Sequence, residues 1–323
     1  MSSARTTLLV YGVLALLALA APLIGLYPVF VMKMLCYALF ACAFNLLLGY
    51  TRMLSFGHAA FFGAAAYVTG WLTSTHGWGT LSGIAGGVAV ALLLGAVIGA
   101  IAVRRRGIYF AMITLALAQL VYFICLESNF TGGENGLQAI PRGKLFGLID
   151  LGRDGTMYYF VLAIFAAAYL LIRRIVQSPF GQVLKAIREN EPRAISLGYR
   201  VDRYKLLAFV LSAGLAGLAG SLKALVLGFA TLSDVSQGTS GDVILMTMLG
   251  GSGTFLGPLV GAGVVLTLEE YLSDRVGAWA TVVIGVIFVV CVMVFRRGFV
   301  GEIERRFGQR TAPADKVREQ QAP

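Results

Sequence analysis

The stretch Ser178–Lys205, SPFGQVLKAIRENEPRAISLGYRVDRYK, is the one long charged segment set between two strongly apolar blocks. Its local signals are those of a helix–turn–helix. Ser178 stands at an N-cap with Pro179 at the first helical position, where a missing N–H costs nothing. Val183, Leu184 and Ile187 then fall on one face, with Gln182, Lys185 and Arg188 on the other. Glu191-Pro192 restarts a second short helix, and Gly198 is placed to end it in the left-handed conformation. An apolar stripe this short cannot fold alone. Two readings stay open for it: a helix pair that docks in a groove of a soluble partner, or an interfacial helix lying on anionic lipid.

The composition of the flanks decides the class. Of 323 residues, 58% are hydrophobic and 13% charged, whereas a soluble domain carries about 25% charged residues. Such a chain cannot cover a water-facing surface and reads as an all-α polytopic membrane protein. Its 40 glycines show no collagen period and fit close helix packing in a bilayer. The net charge of +10 sits in a few inter-helix segments, so it marks topology rather than nucleic-acid binding. Cys36, Cys42, Cys125 and Cys291 lie in or at the ends of apolar runs without metal-ligand spacing, as buried inert thiols would.

Apolar spans are expected near residues 7–27, 29–50, 59–78, 82–103, 107–127, 157–176 and 206–230. The first resembles a signal peptide up to Ala20, but its apolar run continues to Tyr27, long enough to span uncleaved. Arg104-Arg105-Arg106 must be a loop, because cations at mid-membrane cost roughly 2.5 to 3.5 kcal/mol each. With the N-terminus in the cytoplasm, Arg52, Arg104–Arg106 and residues 173–205 all fall on the cytoplasmic side, as the positive-inside rule requires. Residues 128–156 then form a long external, periplasmic loop. The run 242–268 is interrupted by Gly250-Gly251-Ser252-Gly253-Thr254 and Gly257-Pro258, which argues for a broken pair, one segment going in and one returning. With a last span at 276–295, this makes about ten crossings. Residues 1–298 thus form the membrane domain, and 299–323 form a basic cytoplasmic tail with the composition of a disordered segment. Ala213/Gly217, Ala216/Gly220 and Gly95/Gly99 are small-xxx-small pairs that mark close helix contacts, within the chain or between subunits. Lys223 is within snorkelling reach of the outer end.

Few residues carry the marks of chemistry. NLLLGYTRMLSFGHAAFFG, Asn45–Gly63, joins the second and third spans and sets an imidazole at a helix start. Either Ser55, Gly57 and His58 belong to a gate or pathway wall, or Ser55 or His58 caps the helix. No nucleophile triad, HExxH or GxxxxGK[ST] pattern is present, which argues against hydrolytic or metal catalysis and against ATP binding by this chain. A gradient-coupled carrier usually places carboxylates in its spans. Here the acidic residues sit at helix ends or in loops, which leaves a partner ATPase as the energy source.

These blocks resemble the permease subunits of branched-chain amino-acid ABC importers of the LivM type. The resemblance runs over roughly residues 30–300. It rests on Asn45–Tyr67, RGIYFAMITLALAQ (Arg106–Gln119), TGGENGL (Thr131–Leu137), Ser178–Tyr199 with the KLLAFVLSAGLAGLAGSL that follows, and GGSGTFLGPLVGA (Gly250–Ala262). Arg52 departs from the glycine common after Gly-Tyr-Thr, and Gln182 stands where a basic residue is common. The resemblance implies a type-II-like importer permease in the bacterial inner membrane, paired with a homologous second permease. Two cytoplasmic ATP-binding subunits, which use ATP and Mg, and a periplasmic substrate-binding protein complete the assembly. The chain itself would be no enzyme and hold no cofactor. The coupling helix would contain Ala186, Arg188, Glu189, Asn190 and Arg193. Asn45, Ser55, Gly57, His58, Asn135, Gly251 and Gly253 are the candidates for the pathway or gate. Branched-chain amino acids are the expected cargo, with urea, short amides or aromatic acids carried by near relatives. A free-standing channel or carrier is the alternative from another class.

Overall fold

The computed structural model describes residues 27–145, 149–294 and 298–300. All but Tyr27 of the expected first span and all but two residues of the basic tail lie outside them. The described chain is helical: α1 (Pro28–Thr51), α2 (His58–Ser74), α3 (Thr80–Ala102), α4 (Ile108–Glu127), α5 (Asp154–Gln177), α6 (Pro179–Glu189), α7 (Glu191–Ser196), α8 (Val201–Leu227), α9 (Gln237–Gly250), α10 (Gly257–Val276) and α11 (Ala280–Val294). A two-residue antiparallel pair, Lys144–Leu145 with Ile149–Asp150, decorates the loop before α5. Among the described residues, α1, α3, α4, α5 and α8 are long and apolar enough to cross a membrane.

The core is built around α8, which packs on α1, α2 and α3. Its small residues let backbones touch, and the touching is within this chain. A Cβ added at Gly220 would lie 1.9 Å from the Phe62 carbonyl oxygen, one at Gly217 2.3 Å from the Ala91 Cβ, and one at Gly95 2.5 Å from the Ala213 Cβ. In hydrocarbon, where burial supplies no drive between helices, this close van der Waals contact is the main source of association. Between α8 and α2 a hydroxyl pair adds to it, Thr69 Oγ1 donating to Ser221 Oγ at 2.8 Å.

The two ends of the bundle separate by charge. Arg106 pairs with Glu191 at 3.2 Å and Lys205 with the same carboxylate at 2.7 Å. The Arg104–Arg106 loop, α7 and the start of α8 therefore lie together, at what we call the basic end. The opposite end holds the 128–153 loop, tied down where Leu137 and Ala230 exchange backbone hydrogen bonds. Lys33 and Glu270 also lie toward that end, paired at 3.5 Å.

Three expectations are corrected. The charged stretch does not end at Lys205: α8 begins at Val201, because a helix can carry Asp202 and Arg203 in its first turn where that turn projects into water. Lys223 does not snorkel. Its Nζ lies 2.7 Å from Asp234 Oδ2, both side chains are nearly inaccessible (3% and 5%), and the ammonium also faces the Phe229 ring at 4.5 Å. Nor are all the carboxylates confined to the ends. After α8 the chain turns back inward, so that Asp234 rests against Gly63. The next residue back, Phe62, stacks on Phe40 at the middle of α1. Asp234 is fixed there as the N3 member of a capping box with Thr231. Charge spacing along the sequence could not reveal a loop that folds inward.

Removing one partner of a buried pair strands the other, at about 3–5 kcal/mol, whereas removing both is much milder. Lys223→Met and Asp234→Asn are each expected to lower the thermal midpoint in detergent sharply, and the double variant to recover most of the loss. Additive losses in this double-mutant cycle would refute the pairing.

Candidate functional site

The break between α9 and α10, residues 251–256, is where separate sequence blocks meet. Backbone groups that leave a helix must find other partners, and here Asn45 of α1 supplies them. Its Oδ1 accepts from the Gly253 amide at 2.8 Å and its Nδ2 donates to the Thr254 carbonyl at 2.9 Å. Thr254 Oγ1 donates to the Gly251 carbonyl at 2.8 Å and accepts from the Gly257 amide at 3.0 Å. From α5, the Tyr169 hydroxyl donates to the Phe255 carbonyl at 3.3 Å. One helical turn after Asn45 comes Gly49. A Cβ there would lie 2.3 Å from Asn45 Oδ1 and 2.6 Å from the Gly253 nitrogen, so only glycine lets the break approach.

Arg188 closes the junction. Its Nη1 donates to the Gly49 carbonyl, in the last turn of α1 where carbonyls lack helical partners. The same guanidinium borders Gly253, whose φ is +84°. Arg188, Asn45, Gly251 and Gly253, read from the sequence as members of two different groups, thus share one site. The unexpected members are Gly49, Thr254 and Tyr169. The GGSGTFLGP break signalled that something had to satisfy it, but no local pattern points from Asn45 to a partner more than 200 residues away.

The α6–α7 pair is built as its signals require. Ser178 Oγ accepts from the Gly181 amide at 3.4 Å, Asn190 Oδ1 accepts from the Arg193 amide at 3.0 Å, and Gly198 takes φ +86°. Asn190 is therefore the cap of α7 as well as a surface residue. The apolar stripe, however, is consumed inside the chain: Leu184 and Ile187 are buried, and α6 packs on α1, α5 and α8. What α6 and α7 leave exposed is Gln182, Ala186, Glu189, Asn190, Pro192 and Arg193, continued by Ile195, Leu197 and Tyr199.

His58, Ser55 and Gly57 lie elsewhere and are fully or nearly buried. His58 Nε2 is 2.8 Å from Ser212 Oγ, which in turn donates to the Ala43 carbonyl. The imidazole is boxed by the rings of Phe44, Phe61 and Phe209. The α2 N-terminus is served from α9, where Ser240 Oγ accepts from the Ala59 amide at 3.0 Å. Gly57 packs on the Thr114 carbonyl of α4. Asn135 is exposed in a short 3-10 turn at the opposite end from Arg188.

A family model described as branched-chain amino acid transport system / permease component matches residues 26–292. The chain belongs to that permease family. It is 30% identical over 263 residues to the high-affinity branched-chain amino acid transport system permease protein LivM of Escherichia coli K12, covering 74% of this chain and 61% of that protein. The chain thus spans about three fifths of that relative's length. A probable branched-chain amino acid transport permease protein LivM of Methanocaldococcus jannaschii is 28% identical over 185 residues, covering 54% of this chain and 52% of that protein. The autoinducer 2 import system permease protein LsrC of Salmonella typhimurium is 28% identical over 174 residues, covering 51% and 49%. No solved structure matches. In this permease the position that departs from the Gly-Tyr-Thr-Gly pattern is conformationally marked: Arg52 is the α1 C-cap at φ +57°.

Two variants probe the junction. Asn45→Leu leaves the Gly253 amide and Thr254 carbonyl unpaired, at about 1–3 kcal/mol each. It is expected to lower the thermal midpoint and to open residues 251–256 to proteolysis. Arg52→Gly relieves a left-handed non-glycine residue and is expected to stabilise by up to about 1 kcal/mol, measured by thermal unfolding in detergent.

Proposed function

We propose that this chain is the transmembrane permease subunit of an ATP-driven importer for branched-chain or similar hydrophobic amino acids. The observation that carries the reading is the Arg188 junction. A helix pair exposed at the basic end is rigidly capped, and its inner side grips both the end of α1 and the break between α9 and α10. Force applied to the exposed face of α6–α7 is delivered to those three helices together. The basic end is assigned to the cytoplasm, because Arg52, Arg104–Arg106, Arg188 and Arg193 cluster there and cytoplasmic loops favour Lys and Arg.

In this reading Ala186, Glu189, Asn190 and Arg193 face the ATP-binding subunits, while Arg188 transmits. ATP and Mg are used by those subunits, not by this chain. A homologous second permease, forming a heterodimer, and a periplasmic substrate-binding protein complete the machine. Transport proceeds by alternating access as closure of the ATPase pair moves α6 and α7. A second cargo class, a different small solute on the same machinery, is supported by the likeness to LsrC.

The test is ATP-dependent uptake of leucine by the full complex in proteoliposomes. Glu189→Lys with Arg193→Glu inverts the charges of the exposed face without touching the Gly49 contact. It is expected to cut uptake at least about tenfold, the scale of one lost charge-assisted contact, and to release the ATP-binding subunits on size exclusion. Arg188→Ala is expected to retain those subunits while losing uptake. Uptake by this chain alone without ATP would overturn the importer reading in favour of a free-standing carrier.

A further inference from the structure

Among the described residues, the outward faces of α3, α4 and α5 are apolar at mid-depth. Leu93 and Val97 on α3, Leu120 and Phe123 on α4, and Leu170 on α5 all point outward. The outward face of α9 differs. Gln237, Gly238 and Asp242 are exposed there, with Gly241 half-buried between them.

The depth of Asp242 follows from its helix. Thr247 Oγ1 bonds the Ala41 carbonyl inside α1, and α9 ends at Gly250 beside the basic-end junction. At about 1.5 Å of rise per residue, Asp242 stands about 12 Å from Gly250 and about 7.5 Å beyond the Thr247 contact. That sets it level with Cys36 and Tyr37 of α1, about 12 Å inside the start of that helix. No ion pair or side-chain hydrogen bond engages its carboxylate among the described residues. The charge that bears on it, Glu269 of α10, carries the same sign.

An unpaired carboxylate on an outward face at this depth cannot be solvated by hydrocarbon. Intramembrane carboxylates face water-filled cavities and mark the paths of ions and substrates. Its sign selects what it reads: a cationic group.

We propose that Asp242 lines the transport path and reads the ammonium group of the amino-acid cargo, making it a specificity-determining residue of this permease. This rests on the importer reading above and goes beyond it. The neighbouring surface fits the role. Gly238 and Gly241 leave room beside the carboxylate, Gln237 keeps the approach polar, and the half-buried Tyr37 and Met34 of α1 lie on the helix at the same level. The aliphatic side chain of the cargo is not held by charge, so a carboxylate here distinguishes amino acids from their deaminated counterparts rather than leucine from valine.

Two measurements test the assignment, both on the assembled complex. In proteoliposomes supplied with ATP and saturating binding protein, Asp242→Asn is expected to lower leucine uptake at least about tenfold, and Asp242→Glu to restore much of it. The complex should keep its size on size exclusion. In the second, Asp242→Cys is expected to react with a membrane-impermeant cationic thiol reagent above the background of the unsubstituted chain, and leucine transport should slow that reaction. Undiminished uptake by Asp242→Asn, an absence of labelling, or dissociation of the second permease from the Asn variant would each overturn the proposal, the last by making Asp242 a subunit contact. If the unsubstituted complex fails to take up leucine while Asp242→Cys still labels, it is the cargo of the importer reading that fails.

Discussion

A single amide side chain holds the basic end of this permease together. Asn45 offers one acceptor and one donor, and the broken backbone at Gly253 and Thr254 needs both. Without that match the interruption between α9 and α10 would leave part-buried polar groups unpaired, at about 1–3 kcal/mol each. With it, the chain can leave a helix, turn and start another beside the end of α1. The glycine one turn later lets the break come close enough for Arg188 to reach the end of α1. Packing, the broken helix and the exposed helix pair thus hang on one short motif, Asn45 to Gly49.

The central helix sets the frame in which this happens. α8 touches its neighbours through backbone and small side chains, which fixes α1, α2 and α3 at short range and leaves the far face of α3 exposed. α2 begins below the surface at His58, where the Ala59 amide is satisfied by Ser240 of α9. The buried Lys223–Asp234 pair plays the corresponding part for the re-entrant segment. It adds little net stability for two desolvated charges, but it ties the turn to α8.

Much of this was legible in the sequence, and the rest failed for identifiable reasons. The helix class, the spans of α1, α3 and α4, the cap at Ser178, the restart at Glu191-Pro192, and the break at Gly250–Pro258 all follow from local rules, because each is decided by residues within a turn or two. What local rules could not give was depth and direction. Lys223 looked free to reach the surface because its partner arrives from a segment that doubles back. Leu184 and Ile187 looked like a surface for another protein, but both are buried inside the chain, Ile187 against Ala194 of α7 and Val201 of α8. Arg188 looked like its polar neighbours, and its inward turn depends on a carbonyl 139 residues away.

The contact between α9 and α10 carries a mechanical consequence. A Cβ at Gly250 would lie 1.8 Å from the Gly257 carbonyl oxygen, and one at Gly261 would lie 1.8 Å from the Met246 carbonyl oxygen. Two helices that share backbone contact at successive turns have no side-chain layer between them to shear. Side-chain layers are what let packed helices slide by small steps. This hairpin therefore has no scissoring mode of low cost and moves as one stiff paddle, its freedom confined to the hinges where the chain enters it and leaves it.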